Sequence, residues 1–164
     1  MAYQDSHLAK LRQAVGHGLV LMPGAMVVLE RDDRRILLTK RTDDGSWCLP
    51  AGAAEPGGSF ARTAVDELAE ETGIEVEEAD LVPFGCLSEA EAHTIRYPNG
   101  DVTQCFALLF LTRRWRGEPH PSRDEAIEAD FFGPASLPGP IHAPTSRAVD
   151  LLAAYGRSGA FQVR

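Results

Sequence analysis

Cysteine is scarce, long apolar runs are absent and positive charge is in the minority. Three cysteines stand in 164 residues, at Cys48, Cys86 and Cys105. The number is odd, no CxxC pair occurs, and each lies among apolar neighbours. Free buried thiols in a reducing compartment are therefore expected, not a disulfide framework. The longest clear apolar run, Cys105 to Leu111, falls far short of the about 20 residues a membrane helix needs. The opening residues MAYQDSHLAKLRQAVGHG contain no apolar h-region, so no signal peptide, no membrane and a cytoplasmic location are expected. Lys and Arg number 16 against 24 Asp and Glu, a formal net charge of −8. Such a chain repels a phosphate backbone at long range, which argues against a nucleic-acid polymer as partner. It repels free nucleotides too, so an anionic substrate would need a local cation or a bound metal. No internal repeat and no low-complexity block is present.

What is there is ordinary globular composition, 44% hydrophobic and 24% charged. A chain of this length buries roughly 70% of its unfolded surface and needs no covalent staple. The expected division is an N-terminal segment, residues 1–20, and a single domain, residues 21–164. The first carries a short helix from His7 to Val15 and is a candidate homodimer element. Ala25 to Leu29 and Arg35 to Thr39 read as strands of a hairpin around Arg31-Asp32-Asp33-Arg34. Trp47 to Leu49 is a brief extended piece stopped by Pro50. Residues 51–58 contain Gly52, Pro56, Gly57 and Gly58 and read as a loop. Ala61, Ala64, Val65 and Leu68 recur at helical spacing, with Ser59 as N-cap and Gly73 as the glycine past the end. Leu81 to Leu87, Thr94 to Tyr97 and Asp101 to Thr112 read as further strands. Asn99-Gly100 turns the hairpin between the last two. Cys105 to Leu111 is apolar on both faces, as a strand covered on both sides would be. Phe131-Phe132 makes another short strand, and a last helix runs from Thr145 or Ser146 to Tyr155, ended by Gly156. The order implies an α/β (α+β) fold with a mixed sheet between helices.

Chemistry concentrates on the helix after Ser59. Glu67, Glu70 and Glu71 stand at i, i+3 and i+4 and share one patch. Like charges so placed cost roughly 0.2–0.5 kcal/mol per pair, and no cation follows Arg62 in the helix. A cluster of hard oxygen ligands suits Mg²⁺ or Mn²⁺. The glycines before it let backbone approach a metal or phosphate. An acidic helix face taken alone is more often simply solvated.

The segment from Gly52 to Ile74 resembles the Nudix box, G-x5-E-x7-R-E-U-x-E-E-x-G-U with U aliphatic. Seven of nine specified positions match, at Gly52, Glu67, Leu68, Glu70, Glu71, Gly73 and Ile74. The five Gly and Glu matches alone recur by chance in about one window per million. Trp47-Cys-Leu-Pro-Ala-Gly52 resembles the family's W-x-L-P-G-G entry. Gly58 stands where the family has Glu, and Asp66 where it has Arg. The resemblance implies a Nudix-like α/β/α sandwich and hydrolysis of the pyrophosphate linkage in a nucleoside diphosphate joined to another group, such as ADP-ribose or a nucleoside triphosphate. It implies Mg²⁺ or Mn²⁺ held by Glu67, Glu70, Glu71 and the Gly52 backbone. Glu67 and Glu70 are the catalytic candidates, and Glu70 is favoured as the base that activates water. The two departures leave open a nucleotide-binding or sensor module of weakened activity.

Candidate substrate contacts lie outside the box. Lys40 and Arg41 end a strand near it and could meet a phosphate. Trp47 could stack on a base or belong to the core. Asp124, Glu125 and Glu128 form an acidic loop or a further ligand set, with Glu125 favoured. Arg113-Arg114-Trp115-Arg116 mixes charge and an aromatic as single-strand binders do, but reads better as a strand end in a chain this acidic. The five histidines show no metal-ligand spacing.

Overall fold

The computed structural model describes residues 6–97, 99–122 and 126–164. Helix α1 (His7–Val15) starts where Ser6 Oγ accepts the Ala9 N–H at 3.1 Å. Strands β1 (Leu19–Leu29), β2 (Ile36–Arg41), β3 (Trp47–Cys48) and β4 (Ala51–Ala53) precede helix α2 (Phe60–Thr72). Then come β5 (Val82–Leu87), the short α3 (Ala90–His93), β6 (Thr94–Arg96), β7 (Val102–Thr112) and β8 (Ala126–Phe132). Helix α4 (Ala143–Ser158) and β9 (Gln162–Val163) close the order.

Among the described residues, six strands form a mixed sheet in the order β4-β1-β7-β5-β9, with β6 also paired to β7. β1 and β7 run parallel from Leu19 opposite Val102 to Leu29 opposite Thr112. A second sheet has the order β3-β2-β8. The hairpin expected between β1 and β2 is instead a corner. Arg31 N–H does reach the Arg35 carbonyl at 2.9 Å, and Glu30 bridges Ile36. Beyond that bridge the strands diverge, because both edges of β1 are taken by β4 and β7.

Alternation along the strands builds two cores. Ala25, Val27 and Leu29 pack with Ala64 and Leu68 of α2. Met26 and Val28 face the other way, toward Ala148, Val149 and Leu151 of α4. β2 divides likewise, with Leu37 in the first core and Ile36 and Leu38 in the second. Each fully buried Leu or Phe side chain, such as Leu68 or Phe84, contributes about 1.5–3 kcal/mol by leaving water. β7 is buried on both faces only from Leu109 to Thr112. Its first half is partly open, because it walls a cleft.

Several boundaries differ from the sequence expectation, and the last helix starts at Ala143 after His142, not at Thr145 or Ser146. Part of the expected loop, Ala51–Ala53, is a strand on β1. The last helix also runs through Gly156 to Ser158, and Gly159 takes the left-handed conformation at φ 66°. Leu152 and Tyr155 pack on the core and carry the helix past the interior glycine. The helix α1 is tied to the sheet by Arg12, only 9% exposed. Its guanidinium donates to the Val102 carbonyl at 2.6 Å and to Thr103 Oγ1 at 2.7 Å. The stretch from Arg113 to Arg116 is a strand end. Arg113 pairs with buried Glu30 at 2.9 Å, Arg116 with Glu77 at 2.7 Å, and Trp115 stacks on Phe131.

Candidate active site

Ser59 Oγ accepts the Arg62 N–H at 3.0 Å and opens α2. Gly73, at φ 69°, closes it with its N–H on the Ala69 carbonyl at 2.9 Å. Burial of Ala64 and Leu68 fixes the rotation of the helix, and that sends the three glutamates to different places. Glu71 is 7% exposed. Its carboxylate accepts from the Ala51 N–H at 3.0 Å and from Thr39 Oγ1 at 3.2 Å, joining the last turn of α2 to β4 and β2. Glu67 is half-buried and stands against Gly52 so closely that a Cβ there would occupy its carboxylate. Glu70 lies on the exposed side of the helix.

Gly24 is a site residue that sequence reasoning missed. It lies diagonally across the β1–β4 ladder from Gly52, and a Cβ on it would strike the Gly52 carbonyl oxygen. The available signal was a glycine just before an apolar strand pattern, which marks close backbone approach. Glu67 and Glu71 bring their carboxylates to Gly52 and Ala51 of β4, and carboxylates with a backbone carbonyl such as that of Gly52 are the hard oxygen donors Mg²⁺ or Mn²⁺ takes. Among the described residues, no group of three or more His, Cys, Asp or Glu side chains is gathered closely enough to hold a metal by itself. A cation here would thus depend on backbone and substrate oxygens as well as the carboxylates.

This corner opens into a cleft of about 550 Å³. Thr39, Arg41, Ala51, Gly52 and Glu71 line it near β4, and Ile95, Tyr97, Cys105 and Phe106 line it near β6 and β7. Arg41 donates to Asp43 at 2.9 Å, and that bond raises its already high affinity for its proton. Lys40 is not among the cleft residues; it pairs across the second sheet with Glu128 at 2.7 Å. Trp47 is placed in the core, 7% exposed, edge-on to Phe132 with ring centroids 4.8 Å apart. That packing, not a base, occupies it. Asp124 and Glu125 lie outside the described residues. Asp66 pairs with Arg62 on the exposed side of α2 at 2.6 Å, a contact worth a few tenths of a kcal/mol.

Burial pushes the Cys48 thiol up to about 11, so it stays protonated in the cleft wall and is no nucleophile. Burial, with some help from Arg147, lowers the pKa of His93 against an opposing pull from Glu89. Burial and Arg41 do the same to His142, against Asp44 and Asp43. A histidine with a folded pKa below its unfolded value of about 6.5 stabilises the fold above that pH and loses the contribution as pH falls further. Melting temperature is therefore expected to drop as pH falls below about 6.5. Replacing His93 and His142 together by Leu should flatten the slope; an unchanged slope would mean that other groups set it.

Fold and site together define a class: α+β sandwiches in which an acidic helix closes one end of a cleft beside a glycine-bearing strand. Within that class the chain belongs to the NUDIX family, whose NUDIX domain model matches residues 20–152. The 8-oxo-dGDP phosphatase NUDT18 of Mus musculus is 30% identical over 122 residues, 71% of this chain and 33% of that protein. The chain spans about a third of the length of the curated relatives it matches. The crystal structure of a MutT NUDIX hydrolase from Burkholderia pseudomallei superposes with a TM-score of 0.65 at 25% identity, covering 81% of this chain and 98% of that one. An ADP-ribose pyrophosphatase from Streptococcus suis shares the fold, with a TM-score of 0.65 at 22% identity over 87% of this chain and 98% of its own. No helix among the described residues is long and apolar enough to cross a membrane.

Proposed function

We propose that the protein hydrolyses the pyrophosphate linkage of a nucleoside diphosphate derivative, using Mg²⁺ or Mn²⁺. The observation that carries this is the meeting of the Glu67 and Glu71 carboxylates at Gly52 and Ala51 of β4, where the cleft begins. Glu67, Glu71 and Gly52 would hold the cation, with Glu70 beside them at the helix surface. When bound, the metal supplies positive charge to the phosphate oxygens, which answers the repulsion expected from a chain of net charge −8.

The remaining chemistry falls to the chain. Arg41, on the cleft wall, meets a phosphate oxygen. Thr39 and the Ala51 N–H hold the Glu71 carboxylate in place. Glu70 takes the proton from the water that attacks phosphorus. The NUDT18 relative's name directs the first choice of substrate to 8-oxo-dGDP, and the broader fold likeness keeps ADP-ribose in the panel. Turnover of 8-oxo-dGDP, dGTP or ADP-ribose with Mn²⁺, abolished by EDTA, is the expected result. Turnover that survives EDTA contradicts it.

A second reading, a nucleotide-binding module of weakened activity, is favoured by Gly58 and by the outward Arg62–Asp66 pair. It predicts thermal stabilisation by nucleotide without turnover, and a gain of activity in the Gly58→Glu, Asp66→Arg double variant.

A further inference from the structure

His93 ends α3 and precedes β6, where Thr94 lies opposite Gln104 of β7. It is among the residues that line the cleft and is 3% exposed. Its Nε2 is buried and makes no hydrogen bond among the described residues. A buried ring nitrogen without a partner is a standing cost to the free protein, and such atoms in native folds call for an explanation. The nearest charges do not provide one, since Arg147 and Glu89 pair with each other at 3.6 Å. Desolvation keeps the ring neutral, and a neutral imidazole nitrogen can donate or accept according to tautomer.

Position supplies the rest. From β4, which bears Gly52, the sheet runs through β1 and β7 to β6. Three strand spacings are about 14 Å, which sets β6, the strand that follows His93, further from β4 than a single bound phosphate spans. Met22, Ile95 and Phe106 line the same cleft. An apolar wall of this kind suits the flat face of a heteroaromatic ring, whereas a second phosphate would call for cations.

We infer that His93 is a specificity-determining residue, whose Nε2 hydrogen-bonds the edge of the nucleobase when a nucleoside diphosphate derivative fills the cleft. This rests on the reading of the cleft as a nucleotide site. The ring adjusts at the wall as ligand enters, and the unpaired nitrogen gains its partner only then. The free protein carries the cost, and the bound state recovers it.

The experiment compares wild type, His93→Leu and His93→Gln in the full chain. It measures the melting temperature without ligand, the shift caused by 8-oxo-dGDP, ADP-ribose and inorganic pyrophosphate with Mn²⁺, and KM and kcat where turnover occurs. His93→Leu should melt no lower than wild type, because it removes an unpaired polar atom. Its nucleotide KM should rise about tenfold with kcat little changed, and its shift with pyrophosphate, which has no base, should match wild type. His93→Gln, which keeps a polar nitrogen, should recover part of the nucleotide affinity. Equal losses for nucleotide and pyrophosphate, or a His93→Leu that melts lower or fails to fold together with a His93→Gln of wild-type KM and shifts, would mark His93 as structural and overturn the assignment. Wild-type nucleotide affinity in both variants overturns it too, while leaving the nucleotide site standing. A wild type that no nucleotide stabilises or saturates removes both.

Discussion

Glu67→Gln is expected to lower kcat by about 100-fold or more at saturating Mn²⁺ and nucleotide. The substitution keeps the shape of the side chain and removes its charge. Glu67 is half-buried against Gly52, so an amide there still packs. It no longer offers the cation a full negative charge, and charge stabilisation by a metal is worth several kcal/mol in phosphoryl chemistry. About 3 kcal/mol of that corresponds to two orders of magnitude in rate. Stability should change by no more than about 0.5 kcal/mol, as for substitutions away from the core. Steady-state kinetics and a thermal melt check both halves. A Glu67→Gln enzyme within threefold of wild type would remove this residue from the metal set.

The second large effect belongs to Gly52→Ala. A Cβ at this position falls on the Glu67 carboxylate, the mobile end of a flexible side chain. The backbone of β4 can therefore stay paired with β1 while Glu67 swings aside. Activity should fall to nearly the level of Glu67→Gln, with a small change in melting temperature. The informative comparison is the double variant. If the new methyl acts by displacing Glu67, then Gly52→Ala combined with Glu67→Gln should be little worse than either alone, since residues acting as one unit are not additive. Multiplying losses would show that the methyl harms the site by another route, such as the Gly52 carbonyl.

Local signals were the legible part of the sequence. The Ser59 cap, the apolar stripe through Ala64 and Leu68, and Gly73 marked α2 to within a residue, because capping and periodicity are short-range properties. Asn99-Gly100 likewise marked the turn between β6 and β7. The partition of β1 and β2 into two sheets was not legible. It depends on which distant strands, β4 and β7, claim the edges of β1. The same limit applies within the site. Spacing put three glutamates on one patch, but the helix's rotation against its core decides that Glu71 points inward to Ala51 and Thr39 while Glu70 faces water. Trp47 beside the box motif was open between stacking on a base and a place in the core, and the packing of Phe132, far along the chain, places it in the interior. His93 gave no signal at all, since its significance lies in a missing partner.

Arg12 reaches a strand whose first residue lies 90 positions further along the chain. The carbonyl of Val102 and the hydroxyl of Thr103 sit at the base of β7, ahead of the residues that wall the cleft. One guanidinium thus acts as a tie-rod between the leading helix and the far side of the pocket. Trimming that helix away, as one might to tidy an expression clone, would cut the brace and let the ligand-facing part of β7 breathe.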